Sequence, residues 1–393
     1  MKILLVNKFY YRRGGDCIYT LNLEHLLKSK GHEVAIFAMK HPENEKSKWS
    51  KYFPSEVKFK LGPRMLEAFM RPFGTREVEQ MFGALLDEFG PDVIHLNNIH
   101  SQLSPTIAEL AHERGIRVVW TLHDTKLVCP AYTCQRNGRW CDECFADKKA
   151  VLRHRCLPGS FIGAFIGWRE ILKWNKDRLQ ACTDMFLPPS IFLKDIMVKA
   201  GYIPNKFHVL CNFIDICKVK GRESINKADY YVFLGRIDDY KGIKTLCKTA
   251  NILPYKLKVI GNGPLMDFLN DTYKNNSNIE FLGQLTWEEL SPILAHAKFM
   301  VLPSECSENN PLTVIESQSL GTPVLGARIG GIPELIEEGV TGMTFESRNV
   351  ADLKDKIQKM WTASWDYEAI ARQSQERYNA EKYYEEIMKI YKC

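Results

Sequence analysis

The chain has 393 residues, of which 45% are hydrophobic and 25% charged, with a net charge of +6; this is a globular composition with enough length for two domains. The longest nearly uncharged apolar run, around Phe161–Trp168, is far shorter than the ~20 residues of a membrane-spanning helix, and the start, MKILLVNKFYYRR, has too short an apolar core for a signal peptide. We therefore expect a cytoplasmic protein without a nucleic-acid partner, whose 12 cysteines are thiols or metal ligands rather than disulfides.

Short apolar runs alternate with helix-like segments along the chain, which predicts an α/β fold with parallel sheets covered on both faces. The predicted strands of the first half are Ile3–Val6, Val34–Ala38, Val93–Leu96, Val118–Leu122 and Met185–Leu187. Those of the second half are Tyr231–Leu234, Leu257–Ile260, Ile279–Leu282, Phe299–Leu302 and Pro323–Leu325. We expect two Rossmann-like domains, over residues 1–205 and 206–372, and a last segment over 373–393.

Two features of the first half are candidates for a binding site. Gly14 and Gly15 separate the first strand from a predicted helix over Asp16–Lys30, and two glycines let backbone amides approach a phosphate closely. A flexible turn explains them almost as well. His123 follows the strand Val118–Leu122, at the end where ligands bind in parallel sheets; a lone histidine is otherwise usually structural.

A cysteine-rich insert follows over residues 129–156. The pair Cys141 and Cys144 has zinc-knuckle spacing, and Cys129 and Cys156 flank it symmetrically. Four thiolates suit a structural tetrahedral zinc. Free thiols in a packed loop are the alternative.

The segment Ser160–Leu179 is amphipathic and basic, with Phe161, Phe165, Trp168 and Leu172 at helical spacing. Such a helix can lie in a membrane interface, although packing on its own sheet explains a stripe of this kind more often. Residues 1–200 hold 30 Lys and Arg against 22 Asp and Glu. This excess of positive charge suits binding to an anionic bilayer surface. The ordinary charge bias of a soluble domain explains it equally well.

In the second half, Arg236 and Lys241 stand where a predicted strand ends and a helix begins. Cations are disfavoured at a helix N-terminus by the helix dipole, so their presence there favours a role with an anionic ligand. Gly261, Asn262 and Gly263 follow the next strand, in a tight turn that is weak evidence when taken alone.

The stretch VLPSECSENNPLTVIESQSLGTPVLGARIGGIPELIEEGVTG carries the strongest signal. Pro311 can occupy the first position of a helix with Asn310 as its cap, which makes the backbone N–H groups of Leu312 and Thr313 an anion site. Glu308 lies just before that helix end and Glu316 one turn inside it. Two carboxylates beside a phosphate site suit a ligand with both hydroxyls and phosphates, such as a nucleotide-sugar.

These motifs resemble those of the family-4 retaining glycosyltransferases. E-x7-E with G-T-P-V, G-G-I-P-E and G-V-T-G looks like the C-terminal signature of that family; G-R-x4-K-G, G-x-G-P and T-x-H-D resemble its other elements. The resemblance implies the GT-B architecture, with two facing Rossmann-like domains, a cleft between them and a C-terminal helix that returns to the first domain. A subset of the family carries a similar cysteine insert, which implies a structural loop on the acceptor side. His95 and His100 resemble a less constant I-H-x-H region.

The resemblance also implies roles. Arg236 and Lys241 would neutralise the diphosphate of a UDP- or GDP-sugar, Glu308 would contact sugar hydroxyls and Glu316 the ribose. Gly261, Asn262 and Gly263 would lie near the nucleotide, Gly14 and Gly15 at the diphosphate and acceptor, and His123 near the donor sugar. The family often has a glycine a few residues after the first Glu, where this chain has Asn309–Leu312. The resemblance therefore does not identify the sugar of the donor.

The expected reaction is transfer to a saccharide or lipid-linked saccharide in cell-surface polysaccharide biosynthesis, including lipopolysaccharide. It requires no cofactor, because Arg236, Lys241 and helix ends stabilise the leaving charge. The expected location is cytoplasmic, with peripheral contact at the inner face of the membrane as a further expectation. Two alternatives stay open: a nucleotide-sugar 2-epimerase of the same fold, and a non-catalytic subunit that binds nucleotide-sugars.

Overall fold

The computed structural model describes residues 1–57, 65–157, 160–215, 218–221, 223 and 226–392. The chain forms two compact units: Met1–Leu210 together with the residues from Tyr384 on, and Cys211–Tyr383. The division after Leu210 lies five residues beyond the division predicted after residue 205. Residues 373–383, predicted to belong to the last segment, are part of the second unit.

The first unit is built on a parallel five-stranded sheet in the order β2-β1-β3-β4-β7. Its strands, with an antiparallel hairpin of β5 and β6 in the cysteine-rich insert, are β1 Lys2–Val6, β2 Glu33–Phe37, β3 Val93–Leu96, β4 Arg117–Thr121, β5 Gln135–Arg136, β6 Arg139–Trp140 and β7 Met185–Leu187. Because consecutive side chains of β1 point to opposite faces and Ile3 to Val6 are all buried, this sheet is covered on both sides.

Nine helices of the described residues accompany this sheet: α1 Gly15–Ser29, α2 Met65–Met70, α3 Arg76–Phe89, α4 Thr106–Glu113, α5 Glu143–Ala146, α6 Ala150–His154, α7 Phe161–Lys173, α8 Lys176–Ala181 and α9 Ile191–Lys199. The chain reverses direction across the sheet between β1 and β3, since β2 lies on one side of β1 and β3 on the other. Ligands of open α/β sheets bind at such a switch point, beyond the carboxyl ends of the strands.

The second unit has a parallel six-stranded sheet in the order β10-β9-β8-β11-β12-β13. Its strands are β8 Tyr230–Leu234, β9 Lys256–Ile260, β10 Ile279–Gly283, β11 Met300–Leu302, β12 Val324–Ala327 and β13 Gly342–Phe345. The switch point here lies between β8 and β11. The ten predicted strands are confirmed with ends within two residues, whereas β13 and the hairpin were not predicted.

The helices of the second unit follow the same alternation: α10 Ile243–Ala250, α11 Met266–Tyr273, α12 Trp287–His296, α13 Leu312–Ser319, α14 Val350–Thr362 and α15 Tyr367–Arg377. Its core has buried side chains on both faces of the sheet, for example Phe233 and Phe299 on one face and Val232 and Met300 on the other. Helix α15 packs on α13, which explains why residues 373–383 belong to this unit.

The last helix, α16 (Ala380–Lys392), joins the first unit from Tyr384 on. Within that unit Tyr384 bonds His32 at 2.9 Å, and the Arg117 Nε–H donates to the Ile390 carbonyl at 2.8 Å. The predicted return of the C-terminal helix to the first domain is therefore confirmed. None of the helices in the described part of the chain has the length and apolarity needed to cross a bilayer.

Candidate functional site

In the second unit, two predicted site residues lie in direct contact beyond the ends of β8 and β11. The Nζ atom of Lys241 is 2.5 Å from Oε1 of Glu308, and the Ser304 hydroxyl donates to the same oxygen at 2.7 Å. Burial lowers the pKa of Lys241, but the charge of Glu308 and its hydrogen bond outweigh burial and raise that pKa. Lys241 therefore stays a cation at neutral pH.

Asp238 connects the two predicted cations and was not among the predicted site residues. One of its carboxylate oxygens accepts the Lys241 backbone N–H at 3.2 Å, which caps the 3₁₀ turn Asp239–Lys241. The other lies 3.2 Å from the Nε atom of Arg236, whose side chain is 68% exposed. An aspartate just before a helical turn is a common cap, so its position was the available signal. Arg236 is thereby oriented while its guanidinium stays accessible.

Gly261 and Gly263 were predicted to approach a nucleotide, but their lack of a side chain serves a close backbone contact. A Cβ on Gly261 would lie 1.9 Å from the Gly235 carbonyl oxygen, and one on Gly263 would lie 2.3 Å from that of Ile237. The Asn262 carbonyl accepts the Ile237 N–H at 3.0 Å. The G-x-G loop thus supports the segment that carries Arg236.

Glu308 is held from the other side by the G-G-I-P-E element. The Gly331 N–H donates to the Glu308 carbonyl at 2.7 Å. A Cβ on Gly330, where φ is +63°, would lie 2.2 Å from the same oxygen. Only glycine fits this contact, so the second glycine pair fixes the backbone of Glu308.

The predicted cap by Asn310 is wrong. The cap residue of α13 is Pro311, one position before the helix, and it offers no side-chain hydrogen bond. Asn310 is 6% exposed; its Oδ1 accepts the Asn212 N–H at 3.0 Å and its Nδ2 donates to the Cys211 sulfur at 2.9 Å. Both bonds go to residues at the start of the second unit, so the amide supports that segment rather than the helix.

The backbone N–H groups of the predicted anion site lie at the start of α13. Helix α13 begins at Leu312, followed by Thr313, so their N–H groups lie at a helix N-terminus as expected. Glu316 lies on the same helix, which follows the strand that leads to Glu308. Burial raises the pKa of Glu316 to about 7, and the charge of Lys218 opposes this shift only in part.

In the first unit, the predicted glycines lie where α1 begins. Gly14 is the residue before the helix, and its carbonyl accepts the Ile18 N–H at 2.9 Å. No atom lies within 4 Å of a Cβ built on Gly15 among the described residues, so packing alone does not require a glycine there. The next residue, Asp16, accepts a hydrogen bond from Asn98 Nδ2 at 3.3 Å.

His123 lies beyond the end of β4, beside residues that follow β3. Its Nε2 is 3.0 Å from Oδ1 of Asn97, which is fully buried, and the ring of Tyr19 packs edge-on against it at 5.1 Å. Burial lowers the pKa of His123, although the charges of Asp16 and Asp124 oppose this. The imidazole is therefore neutral at pH 7, and Asn97, which supports it, was not among the predicted site residues.

The thiols of the cysteine-rich insert affect one another's ionisation. A hydrogen bond from Cys134 lowers the pKa of the Cys129 thiol, and backbone N–H groups act in the same direction. Burial raises the pKa of Cys144 to about 12, and the charges of Cys129, Cys156 and Cys141 act in the same direction. Across the described ranges, no group of three or more His, Cys, Asp or Glu side chains is arranged to hold a metal ion. Zinc binding stays a prediction from the sequence.

Helix α7 presents an apolar face to solvent. Phe161, Ile162 and Phe165 are 60%, 59% and 45% exposed, and Leu172 is also exposed. The face that packs on the unit consists of Ala164, Gly167, Glu170 and Ile171. The predicted stripe is therefore largely on the outer surface, except for Trp168, which is partly buried against Cys144, Ala150 and Val151.

Comparison with known proteins identifies the relatives of this chain. Residues 13–218 match Glycosyltransferase Family 4, and residues 218–380 match Glycosyl transferases group 1. N-acetyl-alpha-D-glucosaminyl L-malate synthase of Bacillus anthracis is 24% identical over 366 residues, 91% of this chain and 87% of that protein. Three other curated relatives are matched over 38%, 30% and 61% of their own length, so the chain spans less than two thirds of each.

Solved structures show the same fold. Sucrose-phosphate synthase from Thermosynechococcus elongatus superposes with a TM-score of 0.72 at 18% identity, over 100% of this chain and 98% of that one. HepE of Anabaena in complex with UDP and glucose superposes with a TM-score of 0.68 at 15% identity, over 99% of both chains. The fold is GT-B, and since one family description covers more than half of the residues, the chain belongs to Glycosyltransferase Family 4.

Proposed function

We propose that this protein transfers a sugar from a nucleotide diphosphate sugar to a saccharide or lipid-linked saccharide, with retention of the anomeric configuration, in cell-surface polysaccharide biosynthesis. The observation that carries the proposal is the contact between Lys241 and Glu308 at the switch point of the second sheet, with Arg236 held next to them by Asp238. A cation for phosphate and a carboxylate for hydroxyls, side by side, match the two halves of such a donor.

The donor's diphosphate is assigned to Arg236, Lys241 and the N-terminus of α13. When the bond between the anomeric carbon and the phosphate oxygen breaks, negative charge builds on the diphosphate, and fixed cations stabilise that charge better than water does. Glu308 is assigned to the sugar hydroxyls and Glu316 to the ribose hydroxyls. HepE was solved with UDP, which makes uridine diphosphate sugars the first donors to test.

Retention is proposed to follow from attack on the front face. The acceptor oxygen approaches the anomeric carbon on the side of the leaving group and forms the new bond there, while its proton passes to a diphosphate oxygen. The nucleoside diphosphate then leaves. The protein contributes positioning and charge stabilisation rather than a nucleophile. His123 is assigned to sugar hydroxyls, and Gly14 and Gly15 to the backbone around the diphosphate and acceptor.

Peripheral contact with an anionic membrane is part of the proposal, because the outer face of α7 carries Phe161, Ile162 and Phe165. An apolar helix face in a basic half of the chain suits the interface of a bilayer that holds a lipid-linked acceptor.

A thermal-shift panel of UDP- and GDP-sugars tests the donor, because a ligand of the folded state raises the apparent melting temperature by mass action. We expect one nucleotide class to stabilise the protein and the matching sugar donor to be slowly hydrolysed. A donor epimerised without acceptor would favour the 2-epimerase instead. Binding without hydrolysis, with little effect of Glu308→Ala, would favour a non-catalytic subunit. No stabilisation by any member of the panel would contradict the proposed donor.

A further inference from the structure

A buried series of hydrogen bonds runs from the last helix to the surroundings of His123. The Tyr391 hydroxyl lies 2.5 Å from Nδ1 of His95, and Nε2 of His95 lies 2.7 Å from the hydroxyl of Thr121. That hydroxyl is in turn 3.2 Å from the hydroxyl of Tyr19. All four residues are at most 5% exposed.

Because His95 is neutral, the roles of its two ring nitrogens are linked: when one accepts a hydrogen bond, the other donates one. Burial lowers its pKa to about 3, so at neutral pH one ring nitrogen donates and the other accepts. If Tyr391 donates to Nδ1, Nε2–H donates to Thr121, and the single Thr121 proton is then directed to Tyr19. Loss of the Tyr391 hydroxyl leaves a buried ring nitrogen without its partner, which favours a different ring orientation or tautomer.

The other end of the series supports His123. The Tyr19 ring packs edge-on against the His123 ring at 5.1 Å, while Asn97 Oδ1 bonds Nε2 on another side at 3.0 Å. The orientation of the imidazole therefore depends on Tyr19 as well as on Asn97.

We propose that Tyr391, in the last turn of the chain, is a positioning residue for His123 and acts through His95, Thr121 and Tyr19. The inference rests on the proposed role of His123 in binding sugar hydroxyls. The C-terminal helix then contributes to the reaction as well as to the packing of the first unit.

The test compares Tyr391→Phe with Tyr384→Phe, a change on the same helix that removes a hydroxyl bonded to His32. Histidine ring signals are followed by NMR in protein labelled with ¹⁵N-histidine, and the His123 signal is identified by its loss in His123→Gln. We expect Tyr391→Phe to shift the signals of the His123 ring nitrogens. Tyr384→Phe should leave that signal unchanged.

Turnover gives a second readout. We expect kcat to fall roughly ten-fold in Tyr391→Phe, equivalent to about 1.4 kcal/mol in activation free energy, with the KM for the donor unchanged. Thr121→Val and Tyr19→Phe should also lower kcat. The double variant Tyr391→Phe/Tyr19→Phe should have a kcat no lower than that of the more impaired single variant, because both changes interrupt the same series of hydrogen bonds.

A folded Tyr391→Phe with an unchanged His123 signal overturns the inference, and so do strictly additive effects in the double variant. If Tyr391→Phe does not fold, Thr121→Val and Tyr19→Phe, which interrupt the series inside the unit, decide by the same NMR signal. If the wild-type protein shows no transfer at all, the proposed function fails, and the NMR comparison still reports on the series itself.

Discussion

The Nζ atom of Lys241 lies 2.5 Å from Oε1 of Glu308, so the cation assigned to the diphosphate and the carboxylate assigned to the sugar neutralise each other. We expect Lys241→Ala to lower kcat by roughly 10²–10³-fold, the cost of removing one preorganised charge-stabilising group. Arg236→Ala should have a similar effect. Steady-state kinetics measure both, and circular dichroism should show an intact fold.

Lys244→Ala is the matched control, because Lys244 is an exposed cation nearby that pairs with Asp239. It should retain normal turnover. Near-normal rates in both Lys241→Ala and Arg236→Ala would show that the diphosphate binds elsewhere.

Asp238→Asn should separate orientation of Arg236 from binding of the donor. Asn can still cap the turn through its oxygen, but it loses the charge that holds Arg236. Since ion pairs of exposed groups contribute up to about 1 kcal/mol, we expect kcat to fall about five-fold. The KM for the donor should stay level or fall, because a negative charge near the phosphates is gone. Asp239→Asn is the control, and an equal loss in both variants would argue against a specific role for Asp238.

The raised pKa of Glu316, about 7, predicts that donor binding depends on pH. If the ionised carboxylate accepts the ribose hydroxyls, the affinity for UDP-glucose should increase as pH rises from 6 to 8. UDP-glucose is the suitable probe because its diphosphate does not titrate near neutral pH. Calorimetry on wild type and Glu316→Gln tests this, and an equally steep pH dependence in the variant would exclude Glu316 as the source.

The ionised side chain of Glu316 should also lower the free energy of unfolding. Because folding raises the Glu316 pKa from 4.5 to about 7, the folded state binds the proton more tightly, and the stability it contributes at low pH is lost as pH rises through that range. We expect Glu316→Gln to stabilise the protein by roughly 1–3 kcal/mol at pH 8 and hardly at all at pH 4.5. Denaturant unfolding at both values measures the difference; a destabilised variant at pH 8 would contradict it.

The exposed face of α7 predicts binding to anionic vesicles. Phe161→Ser combined with Phe165→Ser should reduce co-sedimentation with phosphatidylglycerol vesicles at low salt, because the helix loses the apolar side chains that would insert into the bilayer interface. Ile252→Ser, an equally exposed apolar residue in the second unit, is the control. Absence of binding by the wild-type protein at low salt would argue against membrane contact.

The zinc prediction is decided by metal analysis of protein purified without a chelator. If Cys129, Cys141, Cys144 and Cys156 bind zinc, we expect about one ion per chain and a loss of stability in Cys141→Ser. Protein without zinc, together with an unaffected Cys141→Ser, would leave the insert as a loop of packed free thiols.

Several conclusions could be drawn from local sequence because their physical cause is local. Buried parallel strands need continuous apolar runs, so β8 and β11 were visible in the sequence. The residues that follow them, Arg236, Lys241 and Glu308, then had a predictable position at one edge of the sheet. The return of α16 was not visible in this way and came from the family resemblance.

The roles of supporting residues could not be read in the same way, because they depend on contacts between distant segments. Asn310 looks like a helix cap, yet its amide bonds residues almost a hundred positions earlier. Gly261 was predicted to lie near a nucleotide, and the structure adds a second reason for a glycine, because the Gly235 carbonyl occupies the space of its side chain. In both cases the contact comes from another segment of the chain and could not be read from the local sequence.

The sequence by itself determined the alternation of strands and helices and the chemistry available at the strand ends, because side-chain burial and charge act through neighbouring residues. Only the tertiary structure decided which of those groups meet. Lys241 and Glu308 are 67 positions apart, and His95 and Tyr391 are 296 apart. Pairs of this kind form only when packing of the whole unit compensates for the entropy of bringing distant segments together.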